Sequence, residues 1–190
     1  DVTFETGADI ITASAGTSNV RVGVNAGNSI VSGGTKNVAV GDEAGTALTD
    51  ADFNTHIGYS AGSAITTGAQ NTIIGGVAGD ALNTGADNVA VGVSSLGADT
   101  KGNFSVAIGT STLTTQNFTS STSAYNTAVG HAAGTAVTTG TQNTFIGGLA
   151  GDATTTGGNN VAVGHVALSS NTTAGNNTAV GRAALFTNTT

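Results

Sequence analysis

Histidine and aspartate are the residues whose chemistry could build a metal or catalytic site in this chain of 190 residues, because it contains no cysteine. His131 and His165 each directly follow a glycine, at the same place in two units of a repeat. If the repeat units stack at the spacing of neighbouring strands, two units place His131 and His165 roughly 10 Å apart. One metal ion does not bridge that distance. We therefore interpret His56, His131 and His165 as surface histidines, and we predict no metal site.

The remaining candidates for chemistry do not form a recognisable site. Asp50 and Asp52 lie in a loop that could contact Ca²⁺, but the Gly-rich nonapeptide of calcium-binding β-rolls is missing. Gly75 and Gly76 are not accompanied by the Lys of a phosphate-binding loop. No Ser/His/Asp set and no pair of carboxylates repeats or clusters, as an enzyme would require. The sequence therefore predicts no enzymatic activity and no cofactor.

The composition excludes several classes of protein. Four Lys and Arg against eleven Asp and Glu give a net charge of −7, which opposes binding to nucleic acid. No apolar run approaches the ~18 residues of a membrane span, so we expect no direct membrane insertion by this segment. A hydrophobic fraction of 38% argues against simple disorder. The chain begins at Asp1 without Met, and we expect a processed chain or part of a longer one.

The elements that must position these residues are short and repeated. One pattern of five consecutive residues occurs ten times, mostly at intervals of 17 residues. It reads Asn, a β-branched residue, usually Ala, then Val or Ile, and finally Gly. Ser105 replaces the Asn once. The repeated glycines are Gly23, Gly41, Gly58, Gly75, Gly92, Gly109, Gly130, Gly147, Gly164 and Gly181. The Asn residues are Asn19, Asn37, Asn54, Asn71, Asn88, Asn126, Asn143, Asn160 and Asn177.

Each unit predicts one coil of a β-solenoid. The β-branched residues one and three before each Gly have a period of two, which is typical of a short strand. A second strand is predicted around Ile65, Leu82 and Val137, followed by a glycine corner. The chain is therefore predicted to be all-β, a parallel β-solenoid of about ten 17-residue coils over residues 19–190. Residues 1–18 would form a degenerate N-terminal coil or cap, and block 54–113 matches block 126–185 at an offset of 72, which indicates a duplication.

Stacked coils place equivalent side chains in columns with separate roles. The Asn column is expected to form an amide ladder, with the tolerance of Asn for turn geometry as the alternative. The Gly after the strand is expected to turn the chain in a conformation closed to residues with a Cβ. We assign the branched residues to the thin interior and the Ala column to the outer face, where an apolar stripe suggests a contact between protomers. The predicted interface residues are Ile73, Phe145, Ala90, Ala107, Ala128 and Ala162.

Two surface features could provide specificity. The loop 114–125 contains four extra residues, and Phe118 and Tyr125 are its predicted recognition residues. A harmless insertion at the seam of the duplication is the alternative. Threonine recurs on the second predicted strand, for example at Thr66 and Thr138, as it does in ice-binding β-solenoids. The position two residues before is mostly Ala, so ordinary solvated strand threonines are the stronger interpretation.

The repeat resembles the head region of trimeric autotransporter adhesins, surface proteins of Gram-negative bacteria whose head repeat reads Asn-Ser-Val-Ala-Ile-Gly. Residues 105–109 read Ser-Val-Ala-Ile-Gly, and residues 88–92 read Asn-Val-Ala-Val-Gly. The resemblance implies a left-handed parallel β-roll, three chains side by side and a role in attachment. The 17-residue coil is longer than the usual turn of the family, and similar repeats occur in phage tail fibres. No ligand motif is matched, so no ligand-binding residue is carried over.

These observations lead to a predicted function in attachment. We expect the exposed head or shaft of a homotrimeric fibre that mediates adhesion to a host or a surface. Its expected place is extracellular, either on the bacterial surface, anchored through regions outside this chain, or on a virion. The alternatives are a phage tail-fibre segment that binds a host receptor and an ice-binding β-solenoid. The receptor, a host surface protein or a glycan, is not identified by any motif.

Overall fold

The computed structural model describes residues 15–189, so residues 1–14 of the predicted N-terminal coil or cap lie outside the described part. The described chain is all-β and contains no helix, hence none that could cross a bilayer. Ten strands have three residues each: β1 (Val20–Val22), β2 (Val38–Val40), β3 (Thr55–Ile57), β4 (Thr72–Ile74), β5 (Val89–Val91), β7 (Val106–Ile108), β9 (Thr127–Val129), β10 (Thr144–Ile146), β11 (Val161–Val163) and β12 (Thr178–Val180). Two shorter strands, β6 (Gly102–Asn103) and β8 (Thr122–Ser123), form a separate small sheet.

The ten longer strands form one parallel sheet in chain order, which is the topology of a β-solenoid. Each strand pairs in register with the next. Thr72, for example, lies opposite Thr55 on one side and Val89 on the other, so one coil advances the chain by 17 residues. The solenoid makes about nine turns. The predicted parallel β-solenoid is confirmed, and a coil is named below by the long strand that it contains.

The two faces of the sheet are the reverse of the prediction. The middle residue of each strand points into the solenoid, and the Val, Ile and Thr residues on either side of it are half-buried or exposed. The reason is that the middle residues, and not their branched neighbours, pack against buried residues of the turns, such as Ala78 and Leu82. Alternation with a period of two does not say which set of residues lies inside. The fully buried residues of the middle column include Ala90, Ala107, Ala128, Ala162, Ile73 and Phe145, so their prediction as an outward stripe is wrong.

The segment after each strand consists of consecutive turns, and the predicted second strand around Ile65 is absent. The glycine directly after each of the ten strands, here called the corner glycine, has a φ between 123° and 134°, which confirms its predicted role. Positive φ then recurs at every second residue, as at Ser60 (52°) and Gly62 (58°). Ile65 ends the series of turns by donating its N–H to the Gly62 carbonyl at 3.1 Å. A strand cannot accommodate this alternation of φ.

Two positions of the coil fill most of the core, and a large side chain at one of them occurs with a small one at the other. One is the middle residue of the strand, and the other is the residue four after the corner glycine, here called the second core position. Where the middle residue is large, the second core position is Gly: a Cβ at Gly134 or Gly151 would lie 2.8 Å or 2.5 Å from the Phe145 ring. Where the second core position is Leu, the next coil has Ala in the middle of its strand. These leucines are Leu96, Leu113 and Leu168.

The Asn column forms a ladder inside the solenoid. Asn71 donates from Nδ2 to the Gly85 carbonyl at 2.9 Å, across its own coil, and its Oδ1 accepts the N–H of Asn88 at 3.0 Å. Nδ2 also donates to Oδ1 of Asn54, in the coil before, at 3.2 Å. Asn143 repeats these bonds in the second block. The ladder therefore satisfies buried backbone groups at two corners of every coil that it passes.

Candidate functional site

A continuous apolar column runs along the outer face of the ten-stranded sheet. The last residue of every long strand is Val or Ile, and Ile57, Ile146 and Val180 expose 38%, 41% and 69% of their surface. The first residue of every long strand, in the column beside it, is Val or Thr. We call these two columns the strand face. Its Val/Ile column is formed by Val22, Val40, Ile57, Ile74, Val91, Ile108, Val129, Ile146, Val163 and Val180.

The strand face carries no charge. The charged residues between positions 54 and 180 are Asp80, Asp87, Asp99, Lys101 and Asp152. None of them belongs to a long strand or directly follows a corner glycine. Tyr59 and Val93, which do follow corner glycines, widen the apolar surface and are 63% and 52% exposed. An apolar, uncharged surface along one side of a rod favours contact with another protein surface.

The residues predicted for the protomer contact lie inside the solenoid, whereas the strand face lies on its outside. Ile73, Phe145, Ala90, Ala107, Ala128 and Ala162 are fully buried and cannot touch another chain. The sequence contained a signal for this, because every large middle residue occurs together with Gly at the second core position. Such a pairing indicates that both positions share one filled interior. Arg21, the middle residue of β1, is half-buried and donates from Nε to the Ala26 carbonyl at 2.7 Å.

The loop 114–125 is anchored to the core on its inner side. Phe118, a predicted recognition residue, is only 6% exposed, so this prediction is wrong. The ring is buried because it packs against the backbone of Gly102, where a Cβ would meet it at 3.0 Å. Tyr125 is 54% exposed, as a recognition residue must be, and its ring stacks on that of Phe104 with centroids 5.2 Å apart. The loop thus presents an aromatic pair on a fixed backbone.

A buried polar cluster anchors this loop and bridges the gap in the Asn ladder at Ser105. Asp99 accepts hydrogen bonds from the Phe118 N–H at 3.2 Å and from Nε2 of Gln116 at 2.6 Å. Gln116 also donates to Ser105 Oγ at 2.9 Å and accepts from Asn126 Nδ2 at 2.8 Å. Sequence reasoning missed this cluster. Its signal was the coincidence of a Ser in the Asn column and an insertion within one coil.

The three histidines do not come together. His131 and His165 are exposed, two coils apart, in the column beside the strand face. His56 is the fully buried middle residue of β3, so its interpretation as a surface histidine is wrong. Burial lowers the pKa of His56 to about 4, and neither ring nitrogen has a hydrogen-bond partner. Among residues 15–189, no three His, Asp or Glu side chains are grouped so that they could hold a metal ion.

Asp52 and Asp50 differ in their surroundings. The N–H and the hydroxyl of Thr35, in the preceding coil, both donate to Oδ1 of Asp52 at 2.7 Å, and these bonds lower the pKa of that carboxyl group. Asp50 is exposed. Asp52 therefore joins two coils.

The recurring threonines also join coils. Thr49 Oγ1 donates to the Thr66 carbonyl at 3.0 Å, and Thr155 Oγ1 donates to the Thr172 carbonyl at 2.9 Å. A hydroxyl that donates its one hydrogen to a carbonyl cannot donate it to ordered water at the same time. This arrangement weighs against a flat threonine surface that binds ice.

Comparison with models of protein families, with curated proteins and with solved structures gives no match to this chain.

Proposed function

We propose that this chain is a rod segment of a homotrimeric fibre, the exposed head or shaft through which a bacterium or a phage attaches to a host or a surface. The Val/Ile column of the uncharged strand face carries the proposal. The rod would work outside the cell, without catalysis and without a cofactor. The resemblance of the repeat to adhesin heads supplies the left-handed form of the roll and the arrangement of three chains.

The physical reason for association is the thinness of the solenoid. Each coil buries only its middle residue and a few turn residues, such as Ala78 and Leu82, so its own core is small. Every coil at the same time exposes a Val or an Ile on the strand face. Burial of this face against parallel copies contributes about 25 cal/mol per Å² of apolar surface removed from water, and the assembly gains what remains after the cost of association. A threefold axis along the Val/Ile column closes the assembly, because each rod then covers the strand faces of its neighbours.

Light scattering on the wild type and on the double variant Ile57→Lys/Ile146→Lys tests the association. We expect three times the chain mass of 18.1 kDa for the wild type. The variant is expected to be monomeric, because every trimer would bury three lysines at each of two levels. Thr67→Lys/Thr139→Lys, at exposed positions away from the strand face, is the matched control. A monomeric wild type at micromolar concentration contradicts the trimer.

The stacked pair Phe104 and Tyr125 is our proposed recognition site. We expect Phe104→Gln/Tyr125→Gln to abolish the attachment of labelled trimer to target cells and to leave its mass unchanged. Glutamine fits the backbone here, since Gln70 and Gln142 occupy the same coil position at the same φ of 60°. Phe53→Gln removes an equally exposed ring from that position and serves as the control. Unchanged attachment would make the insertion a purely structural feature.

Two further measurements separate the alternatives. Attachment of labelled trimer to bacterial cells supports a phage tail fibre, whereas attachment to eukaryotic cells or to an abiotic surface supports an adhesin. Thermal hysteresis in a solution of the chain would support ice binding and would contradict attachment as the primary role.

A further inference from the structure

His56 lies in a part of the core that has no polar group to offer it. The side chain is fully buried, and both ring nitrogens lack a partner. Two glycines leave the space for the ring: a Cβ at Gly45 would lie 2.6 Å from Nδ1, and a Cβ at Gly62 would lie 2.9 Å from Cε1. The neighbours in the sheet are Ala39 and Ile73. These surroundings suit a neutral ring and do not suit an imidazolium.

No charged side chain faces the ring from the coils around it. The ionisable groups of the β2, β3 and β4 coils besides His56 are Asp42, Glu43, Asp50, Asp52, Tyr59, Asp80 and Asp87. All of them are exposed or half-buried on the outside of the solenoid. Asp52 is engaged by Thr35, and burial raises the pKa of Asp80. A proton taken up by His56 therefore meets no counter-charge, and the imidazolium can be solvated only outside the core.

We propose that protonation of His56 opens the coils of β2, β3 and β4. The rest of the rod stays closed. Opening can stay local because each coil contacts only its neighbours. The second block provides the matched region without a buried histidine, because His131 and His165 are exposed. Ala128 corresponds to His56 at the offset of 72, and the preceding coil has Leu113 where the coil before His56 has Gly45. This inference does not depend on the proposed trimer.

The direction of the effect follows from the protonation of the two states. Burial lowers the pKa of His56 from 6.5 to about 4, so the open coil binds the proton at a higher pH than the closed coil does. Opening is therefore independent of pH above 6.5, and its equilibrium constant rises about tenfold per pH unit as the pH falls from 6.5 towards 4.

Native-state hydrogen exchange followed by mass spectrometry tests the proposal on the intact chain. Exchange is compared at about pH 7 and about pH 5 after correction for intrinsic rates. This change of pH raises the opening constant roughly twentyfold. We expect peptides from residues 37–87 to lose protection by that factor, and peptides from residues 126–170 to keep theirs. Equal loss in both regions, or no loss in either, would overturn the proposal.

His56→Phe is the decisive variant, because Phe145 fills the same kind of site between Gly134 and Gly151. It keeps an aromatic ring in the core and removes the titrating group, so the acid-induced loss of protection should disappear. His56→Ala, with the residue of six other coils, provides a second test that does not depend on the fit of a ring. His131→Gln removes an exposed histidine and should respond to acid as the wild type does. An acid response that persists in both His56 variants refutes the role of this residue.

Discussion

Residues 54–113 and 126–185 repeat one pattern and fill the same core in different ways. The first block buries His56, Ile73 and Leu82, whereas the second buries Ala128, Phe145 and Thr154 at the same places. Phe145 is larger than Ile73, and Thr154 is smaller than Leu82, so volume lost at one position is gained at the other. The coil therefore requires a certain filled volume and tolerates different side chains that supply it.

The two blocks also leave buried polar atoms without partners in different places. In the first block these atoms are the two ring nitrogens of His56, and in the second they are Thr154 Oγ1 and Asn171 Oδ1. A buried polar group without a partner costs about 1–3 kcal/mol. Only the atoms of His56 titrate, so the first block should be sensitive to acid and the second should be weakened equally at every pH.

The largest expected effect is that of Phe145→Ala, which empties the centre of the second block. A loss of about 3–5 kcal/mol is expected in chemical denaturation, because the variant leaves a large cavity. Adding Gly151→Leu should recover part of it, since a Leu at Gly151 would extend into the space of the Phe145 ring. The backbone accepts this change: Leu168 holds the equivalent place in the next coil with a φ of 57°.

The single variant Gly151→Leu completes this cycle. Its Cβ would lie 2.5 Å from the Phe145 ring, so it should destabilise the wild-type background while it stabilises Phe145→Ala. The same sign in both backgrounds would show that the two core positions do not exchange volume.

The second largest effect is expected when the core of the first block is transferred to the second. The triple variant Leu113→Gly/Ala128→His/Phe145→Ile recreates the surroundings of His56. At neutral pH we expect it to be less stable than a Leu113→Gly/Ala128→Phe/Phe145→Ile control, because the buried ring nitrogens lack partners. This difference should grow by about 3 kcal/mol near pH 4, since each unit of pKa difference contributes about 1.4 kcal/mol.

The measurement is denaturation at a series of pH values, followed by circular dichroism. The sign is fixed: a histidine whose pKa is lowered by folding destabilises the fold increasingly as the pH falls below its unfolded pKa of 6.5. A pH profile that is parallel to that of the phenylalanine control would show that surroundings of this kind do not shift a histidine.

The sequence predicts the frame of this molecule better than its interior. The interval of 17 residues and the glycines with positive φ are local features, so strands, corners and register follow from them. The inner face does not follow, because Ala39 between Val38 and Val40 alternates equally well in either orientation. Only contacts between coils decide it, such as that of Phe145 with Gly134. The turns after each strand were missed for a related reason, since Ile65 and its neighbours show strand-like residue types in a backbone of alternating φ.

Asn71 and Asn143 make the same hydrogen bonds in the two blocks, so matched substitutions should have equal effects. Asn71→Ala and Asn143→Ala each leave a corner carbonyl and a backbone N–H without a buried partner. We expect a loss of about 2 kcal/mol for each in chemical denaturation. Gln142→Ala changes the exposed neighbour of Asn143 and should stay within about 0.5 kcal/mol of the wild type. Unequal losses would show that the interrupted ladder near Ser105 weakens one block more than the other.

The smallest expected effect is a gain in stability at Thr154. Its hydroxyl is buried without a partner, and the preceding coil has Val137 at this place. Thr154→Val removes the unsatisfied oxygen at almost constant shape and should stabilise the second block by about 1 kcal/mol. The adjacent Thr155 provides the control, because its hydroxyl donates to the Thr172 carbonyl at 2.9 Å. Thr155→Val removes a bond that joins two coils and should therefore destabilise by about the same amount. Chemical denaturation of the two variants yields opposite signs if hydrogen bonding, and not the apolar character of valine, decides the outcome at these neighbouring positions.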